Sequence, residues 1–342
     1  MKTLLVTGGA GFIGSNLVRH LHRRHPDYRI VALDALTYAG RPANLDPLLG
    51  GESRVIFQRG DVCNAALVEQ LVATADVVVH LAAESHVLRS IVDDRLFFET
   101  DVIGTRTVAN AVVRQQAHIE RFIHVSSSDV YGSAEREPMD ENHPLNPTNP
   151  YAAAKAGADR LVYSYWRTFG IPAVIVRPFN VYGPRQHVEK LIPRFITSLL
   201  ANEPLTVHGP GTAARDWLHV DDLCTAFDQL LERDMGSLAG QVFNIGSGTA
   251  ADVLTIAQCL SRLTGEDTAR IEHVADRLGQ VTKQVADVER ARDRLRWTPR
   301  VELEDGLART VQWYLDNRAW WEPLHRMRRT PAMASRGSVA LQ

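Results

Sequence analysis

Cysteine is scarce in this chain. Only Cys63, Cys224 and Cys259 occur among its 342 residues. They lie far apart and are odd in number, which fits neither the close spacing of a metal cluster nor a disulfide framework. No metal site is expected, and isolated thiols of this kind are usually buried or semi-buried packing residues. Charge of one sign is missing as well. Against 38 Lys and Arg stand 40 Asp and Glu, a formal net charge of -2, and both signs are mixed along the sequence. Nothing in that balance predicts a nucleic-acid or anionic-membrane partner. No apolar run approaches the roughly 20 residues that a membrane helix needs. Met1 to Val6 runs straight into a Gly-rich turn without the layout of a signal peptide, so a cytoplasmic location is expected. No internal repeat is visible.

What is present is apolar material for a large core, 45% of the residues. This length suggests two lobes or one enlarged domain. Short β-branched runs alternate with helical periodicity through the first half. Strands are expected at Leu4–Thr7, Ile30–Asp34, Val55–Gln58, Val77–Leu81, Phe122–Ser126 and Ala173–Arg177, with helices at Leu67–Thr74, Thr105–Gln115 and Ala152–Thr168. Strand and helix repeated this way imply a Rossmann-type α/β fold, a doubly wound parallel sheet covered on both faces. Residues 142–150, with three prolines and three asparagines, read as a loop. Past Arg177 the pattern turns irregular and proline-rich, with one further strand at Val242–Ile245 that returns to the sheet. The expected division is a cofactor lobe over 1–178, a smaller substrate lobe mainly over 179–329, and a small, polar, disordered tail over 330–342.

The stretch VTGGAGFIGSNL follows the first strand and opens a helix. Gly8, Gly11 and Gly14 are spaced three apart, with Phe12 and Ile13 between the last two. Glycines at this spacing permit a tight turn and let backbone approach a pyrophosphate resting on the helix N-terminus. Asp34 ends the second strand. A carboxylate there can hold both ribose hydroxyls and would repel a 2'-phosphate, which favours NAD over NADP. Asp61 and Val62 after the third strand are expected beside the adenine. Leu81, Ala82 and Ala83 after the fourth are expected along the pyrophosphate or the nicotinamide ribose.

In NPYAAAKAGAD, Tyr151 and Lys155 stand four apart at the start of a helix and so share a face. An ammonium beside a phenol favours the phenolate and makes the tyrosine a better base near neutral pH. The fifth strand runs into SSSDVYG, which carries Ser126, Ser127, Ser128 and Asp129.

These stretches, together with LDALTYAGRPANL, HLAAESHVLRSI, EKLIPRFI and ARDWLHVDD, are similar over roughly residues 1–325 to the extended short-chain dehydrogenases/reductases that act on nucleotide sugars. The likeness is greatest to the dTDP-glucose 4,6-dehydratases. The resemblance implies that Tyr151 takes the proton from the sugar 4-OH while a hydride passes from C4 to NAD. It implies that Lys155 holds the nicotinamide ribose, and that Ser127 bonds the 4-oxygen. It also places Ser85, His86, Asn180, Lys190, Leu191 and Arg215 on the substrate, and His208 beside the base. A homodimer through the helices at Thr105–Gln115 and Ala152–Thr168 is implied too.

The chain departs from that pattern where the chemistry divides. The dehydratases carry Asp and Glu, as acid and base, where this chain has Ser128 and Asp129. Leu88 also stands where they usually have Asp. His208 replaces a Tyr, and residues 275–284 lack the Gly-His-Asp-x-Arg pattern. With a hydroxyl at C6, a 4-keto intermediate eliminates water and benefits from an acid, worth roughly 10²–10⁴-fold. With a carboxylate at C6, it loses CO2 without one. Re-reduction at C4 gives the epimer. Ser followed by an acid also resembles the UDP-glucuronate decarboxylases and the GDP-mannose 4,6-dehydratases. The expected function is therefore an NAD-dependent nucleotide-sugar lyase, first a dTDP-glucose 4,6-dehydratase. A uronate decarboxylase, a 4-epimerase, a dehydrogenase that releases NADH and a non-catalytic NAD sensor remain as alternatives.

Overall fold

The computed structural model of the chain describes residues 1–50, 53–266, 270–276, 278–328, 331–333 and 339–341. The strands that position the site are β1 (Lys2–Thr7), β2 (Tyr28–Asp34), β3 (Val55–Arg59), β4 (Val77–His80), β5 (Arg121–Val125), β6 (Ala173–Pro178), β7 (Asn180–Tyr182), β8 (Leu205–His208), β9 (Ala214–His219) and β10 (Val242–Ile245). Seven of them form one sheet in the order β10-β6-β5-β4-β1-β2-β3, with every neighbouring pair parallel. This is the Rossmann-type α/β sheet, and β10 is its edge strand beside β6. The β-branched runs are strands because both faces are covered. Leu4 and Val6 point into one buried cluster with Leu17, Leu21, Phe227 and Leu230. Leu5 points the other way, to Val78, Val108, Val112 and Phe122. Fully burying each such side chain contributes about 1.5–3 kcal/mol.

The order of strands reverses between β1 and β4, which opens a crevice at their C-terminal ends. Helix caps then aim residues into it. Asn149 accepts a hydrogen bond from the Ala152 N–H at 2.9 Å, and Pro150 takes the first helical position. The helix therefore spans Pro150–Phe169, starting earlier than the periodicity of Ala152–Thr168 indicates. It ends at Gly170, which adopts a left-handed φ of 69°. The helix Thr105–Arg114 is entered through a π-helical turn, Phe98–Gly104.

The second lobe is more regular than its sequence reads. Helices Leu191–Leu200, Val220–Glu232, Val253–Thr264 and Leu303–Asp316 occupy the stretch that appears irregular. Pro193 is misleading because it falls in a first helical turn, where the N–H has no intrahelical partner to lose. Phe195, Ile196, Val207, Ile256, Leu260, Tyr314 and Trp321 form a separate core there. Within the tail, residues 331–333 and 339–341 pair as a short antiparallel ribbon. The remaining residues of the expected disordered tail lie outside the described ones. Cys224 and Cys259 are buried, Cys63 is partly buried, and all three are free thiols. Among the described residues, no helix is long and apolar enough to cross a membrane.

Candidate active site

A cleft of about 440 Å³ lies over the C-terminal ends of β1, β2, β4 and β5. Gly8, Gly11, Phe12, Ile13, Gly14, Asp34, Asp61, Val62, Leu81, Ala82 and Ala83 line one end. Ser127, Ser128, Asp129, Tyr151 and Lys155 line the middle, and Ser85, His86, Asn180, Lys190 and Leu191 the other side. The sequence motifs thus converge on one surface.

The first end is shaped for a dinucleotide. Gly8 adopts φ 69°, and a Cβ there would stand 2.8 Å from the Ala82 N. A Cβ on Gly14 would stand 2.1 Å from the Gly8 carbonyl oxygen, so helix and turn can close only without side chains. Gly11 caps the helix Phe12–Arg24 with no side-chain bond, which leaves its first-turn amides for a ligand. The Asp34 carboxylate is oriented by two backbone donors, Ala10 N–H at 2.9 Å and Leu36 N–H at 2.8 Å. A Cβ on Gly40 would lie 2.4 Å from Asp34 Oδ1, so glycine keeps the carboxylate accessible. Each carboxylate oxygen retains a lone pair for a ribose diol. Turn, helix terminus and carboxylate fit NAD.

In the middle, Ser127 and Tyr151 line the cleft together, and the Tyr151 backbone N–H donates to Ser90 Oγ at 3.1 Å. The Ser127 hydroxyl also accepts from the Asp129 N–H at 3.2 Å and so caps the 3₁₀ turn Ser128–Tyr131. Lys155 differs from the expectation. Its Nζ donates to the Val125 carbonyl at 2.7 Å. The charges that favour its ammonium are Asp101 and Asp159, against burial. Tyr151 is correspondingly pushed above its ordinary value, by burial first and then by Asp129 and Asp101, with Ser127 opposing. In the protein alone, burial is the largest influence on both groups, and the charges acting on the phenol are Asp129 and Asp101 rather than Lys155. Asp129 is pushed up by burial, opposed by Arg215, Lys190 and the Gln284 amide.

Lys190 Nζ donates to the Ser85 carbonyl. Leu88, at the position where Asp was expected, is buried in the lining. Two expected substrate residues do not line the cleft. Arg215 stands behind Asp129 and acts on it through charge. His208 is buried on β8, with Nδ1 3.2 Å from the Ala275 carbonyl oxygen.

Four buried polar residues escaped the sequence reading. Asp101 accepts from the Glu84 N–H at 2.8 Å, and burial pushes both carboxyls up to about 7. Glu189 lines the cleft with Lys190. Its position next to Lys190 in EKLIPRFI was the one available signal. Gln284 sits in no motif.

Such a sheet, with Tyr151 and Lys155 one helical turn apart at its C-terminal edge, defines an extended short-chain dehydrogenase/reductase. The sequence model described as GDP-mannose 4,6 dehydratase matches residues 5–310, and the chain belongs to that family. A dTDP-glucose 4,6-dehydratase of Mycobacterium tuberculosis is 44% identical over 325 residues, 94% of this chain and 96% of the relative. The Streptomyces venezuelae dTDP-glucose 4,6-dehydratase, crystallised with NAD, is 43% identical. It superposes with a TM-score of 0.89 over 94% of this chain and 99% of its own. The UDP-glucuronic acid 4-epimerase of Bacillus cereus, crystallised with UDP-glucuronic acid and NAD, is 32% identical. Its TM-score is 0.85 over 92% and 99% of the two chains.

Proposed function

We propose that this chain is an NAD-dependent nucleotide-sugar lyase that acts through a transient 4-keto sugar, most specifically a dTDP-glucose 4,6-dehydratase. The observation that carries the reading is the convergence of Ser127, Asp129, Tyr151 and Lys155 in the same cleft as the glycine turn. The relatives support the nucleotide sugar and the cofactor. When bound, NAD would be held by the glycine turn, the first-turn amides of Phe12–Arg24 and Asp34, and would supply the acceptor for the C4 hydride and its return to C6. Ser127 and Tyr151 hold the 4-oxygen, and Tyr151 takes its proton. The C5 proton, acidified by the ketone, goes to Asp129. The C5–H electrons form the C5=C6 bond as the C6–O bond breaks. Asp129, a carboxyl that burial makes a weaker acid than usual, gives its proton to the departing hydroxyl and water leaves. The proton taken by Tyr151 remains available for C5.

Residues 1–178 with β10 serve as the cofactor lobe and 179–329 as the substrate lobe in this reading. Asn180, which lines the cleft, meets the diphosphate, while Arg215 acts through Asp129. The protein works in the cytoplasm as a homodimer. Leu96, Phe98, Ile103 and Tyr163 are exposed on the helical segments around 95–104 and on Pro150–Phe169, where a partner would cover them. The test is mass spectrometry of product after separate incubation with dTDP-glucose and UDP-glucuronate. Loss of one water from dTDP-glucose is expected. Loss of CO2 from UDP-glucuronate, with dTDP-glucose untouched, overturns the reading.

A further inference from the structure

Gln284 lies behind the turn that holds Ser128 and Asp129, is fully buried, and does not reach the cleft itself. Its backbone is stitched in place. The Gln284 N–H donates to the Ala214 carbonyl on β9 at 3.2 Å, and the Val285 carbonyl accepts from Met139 N–H at 2.8 Å. The side-chain Nε2 donates to two carbonyls, Ser128 O at 3.1 Å and Gly132 O at 2.9 Å. Carbonyl oxygens can only accept, so these bonds fix which end of the amide is nitrogen. The oxygen, Oε1, is thereby turned to the Ser128 hydroxyl, which donates to it at 3.2 Å. A serine hydroxyl has one hydrogen and two lone pairs. With the hydrogen committed to Gln284, Ser128 Oγ presents only acceptor sites to the cleft it lines.

That places an acceptor close to the position of C6. Ser127 and Tyr151 hold the 4-oxygen in the reading above, and C6 is two carbon–carbon bonds from C4. Ser128 and Asp129 are the next side chains along the same turn and line the same cleft. A C6 hydroxyl can donate to Ser128. A C6 carboxylate cannot, and it would also face the Asp129 carboxyl. The cations nearby do not reverse this. Arg215 and Lys190 already act on Asp129, and Lys190 also donates to the Ser85 carbonyl.

We propose that Gln284 is a specificity-determining residue: by locking Ser128 as a hydrogen-bond acceptor, it selects sugars with a hydroxymethyl at C6 over uronic acids. This rests on the nucleotide-sugar reading and deepens it.

The test is binding rather than turnover. The NAD-loaded protein is titrated calorimetrically with dTDP-glucose, dTDP-glucuronate and dTDP. The two sugars differ only at C6, and dTDP reports the nucleotide site alone. The wild-type protein should prefer the glucose. Gln284→Met frees the Ser128 hydrogen, and Ser128→Ala removes the acceptor while leaving Gln284 in place. Each should narrow the preference by about tenfold, the worth of one hydrogen bond, with dTDP affinity unchanged. A packing role alone would weaken both sugars together and leave their ratio fixed. If Gln284→Met fails to fold, Ser128→Ala decides. An unchanged ratio in the folded variants, or a wild-type preference for the uronate, overturns the proposal while the nucleotide-sugar reading stands. If neither sugar nor dTDP binds, that reading falls and the proposal with it.

Discussion

Asp101→Asn should stabilise the protein more at high pH than at low pH. Asp101 is buried beside Lys155, with Oδ1 on the Glu84 N–H and Oδ2 lacking any hydrogen-bond partner among the described residues. Burial raises its pKa from 3.8 to about 7, with Lys155 opposing. The folded state therefore holds this proton more tightly than the unfolded chain, the reverse of the usual salt-bridged carboxylate. Stability is full below the unfolded value and is lost as pH rises from about 4 to about 7. Three pH units correspond to about 4 kcal/mol in total, of which roughly 2–3 kcal/mol falls between pH 5 and pH 8. Asparagine keeps the acceptor for Glu84 N–H and has no proton to lose. Urea unfolding of both proteins across that range should show the gap widening in favour of the variant by that amount. A gap that stays constant, or widens towards low pH, would refute the placement of Asp101 as a buried carboxyl held against ionisation. The same substitution removes one of the charges that push Tyr151 up. The acid limb of the rate profile should then move to lower pH, at the cost of a weaker hold on Lys155.

Other outcomes separate the roles within the site. Tyr151→Phe should lower kcat by at least about 10²–10⁴-fold, with copurified NAD retained and no 340 nm absorbance on adding dTDP-glucose. Asp129→Asn should behave differently: reduced cofactor should accumulate at 340 nm because oxidation at C4 proceeds while water loss stalls. Gly14→Ala drives a Cβ to 2.1 Å from the Gly8 carbonyl, so NAD content, measured after denaturation, should collapse. Arg177→Leu breaks the bidentate pair with Asp159 at 2.8 and 3.0 Å, leaves that buried carboxylate to Arg160 alone, and removes the donor to the Tyr131 hydroxyl. Urea melts should record a loss of about 3–5 kcal/mol.

Which features were legible in the sequence follows from how far apart the interacting residues are. The parallel sheet was legible because β-branched runs buried on both faces leave a local signature, and each expected strand of the sheet forms with ends shifted by no more than two residues. The cofactor end was legible because glycine spacing and Asp34 encode their geometry within one β-α-β unit. Tyr151 and Lys155 were found by spacing, but the environment of Lys155 was not. Asp101 reaches it from a π-helical turn some fifty residues earlier. Gln284 meets Ser128 across 156 positions, through a bridge between β9 and a loop that has no periodicity. The second-lobe helix Leu191–Leu200 was hidden by Pro193, which falls in a first turn where a helix tolerates proline.

The central claim, transient oxidation at C4 with return of the same hydride to C6, is tested most directly with dTDP-glucose deuterated at C4. The expected product is the 4-keto-6-deoxy sugar carrying deuterium in its C6 methyl group, with no NADH released. Deuterium found in free NADH, in solvent or still at C4 would contradict it.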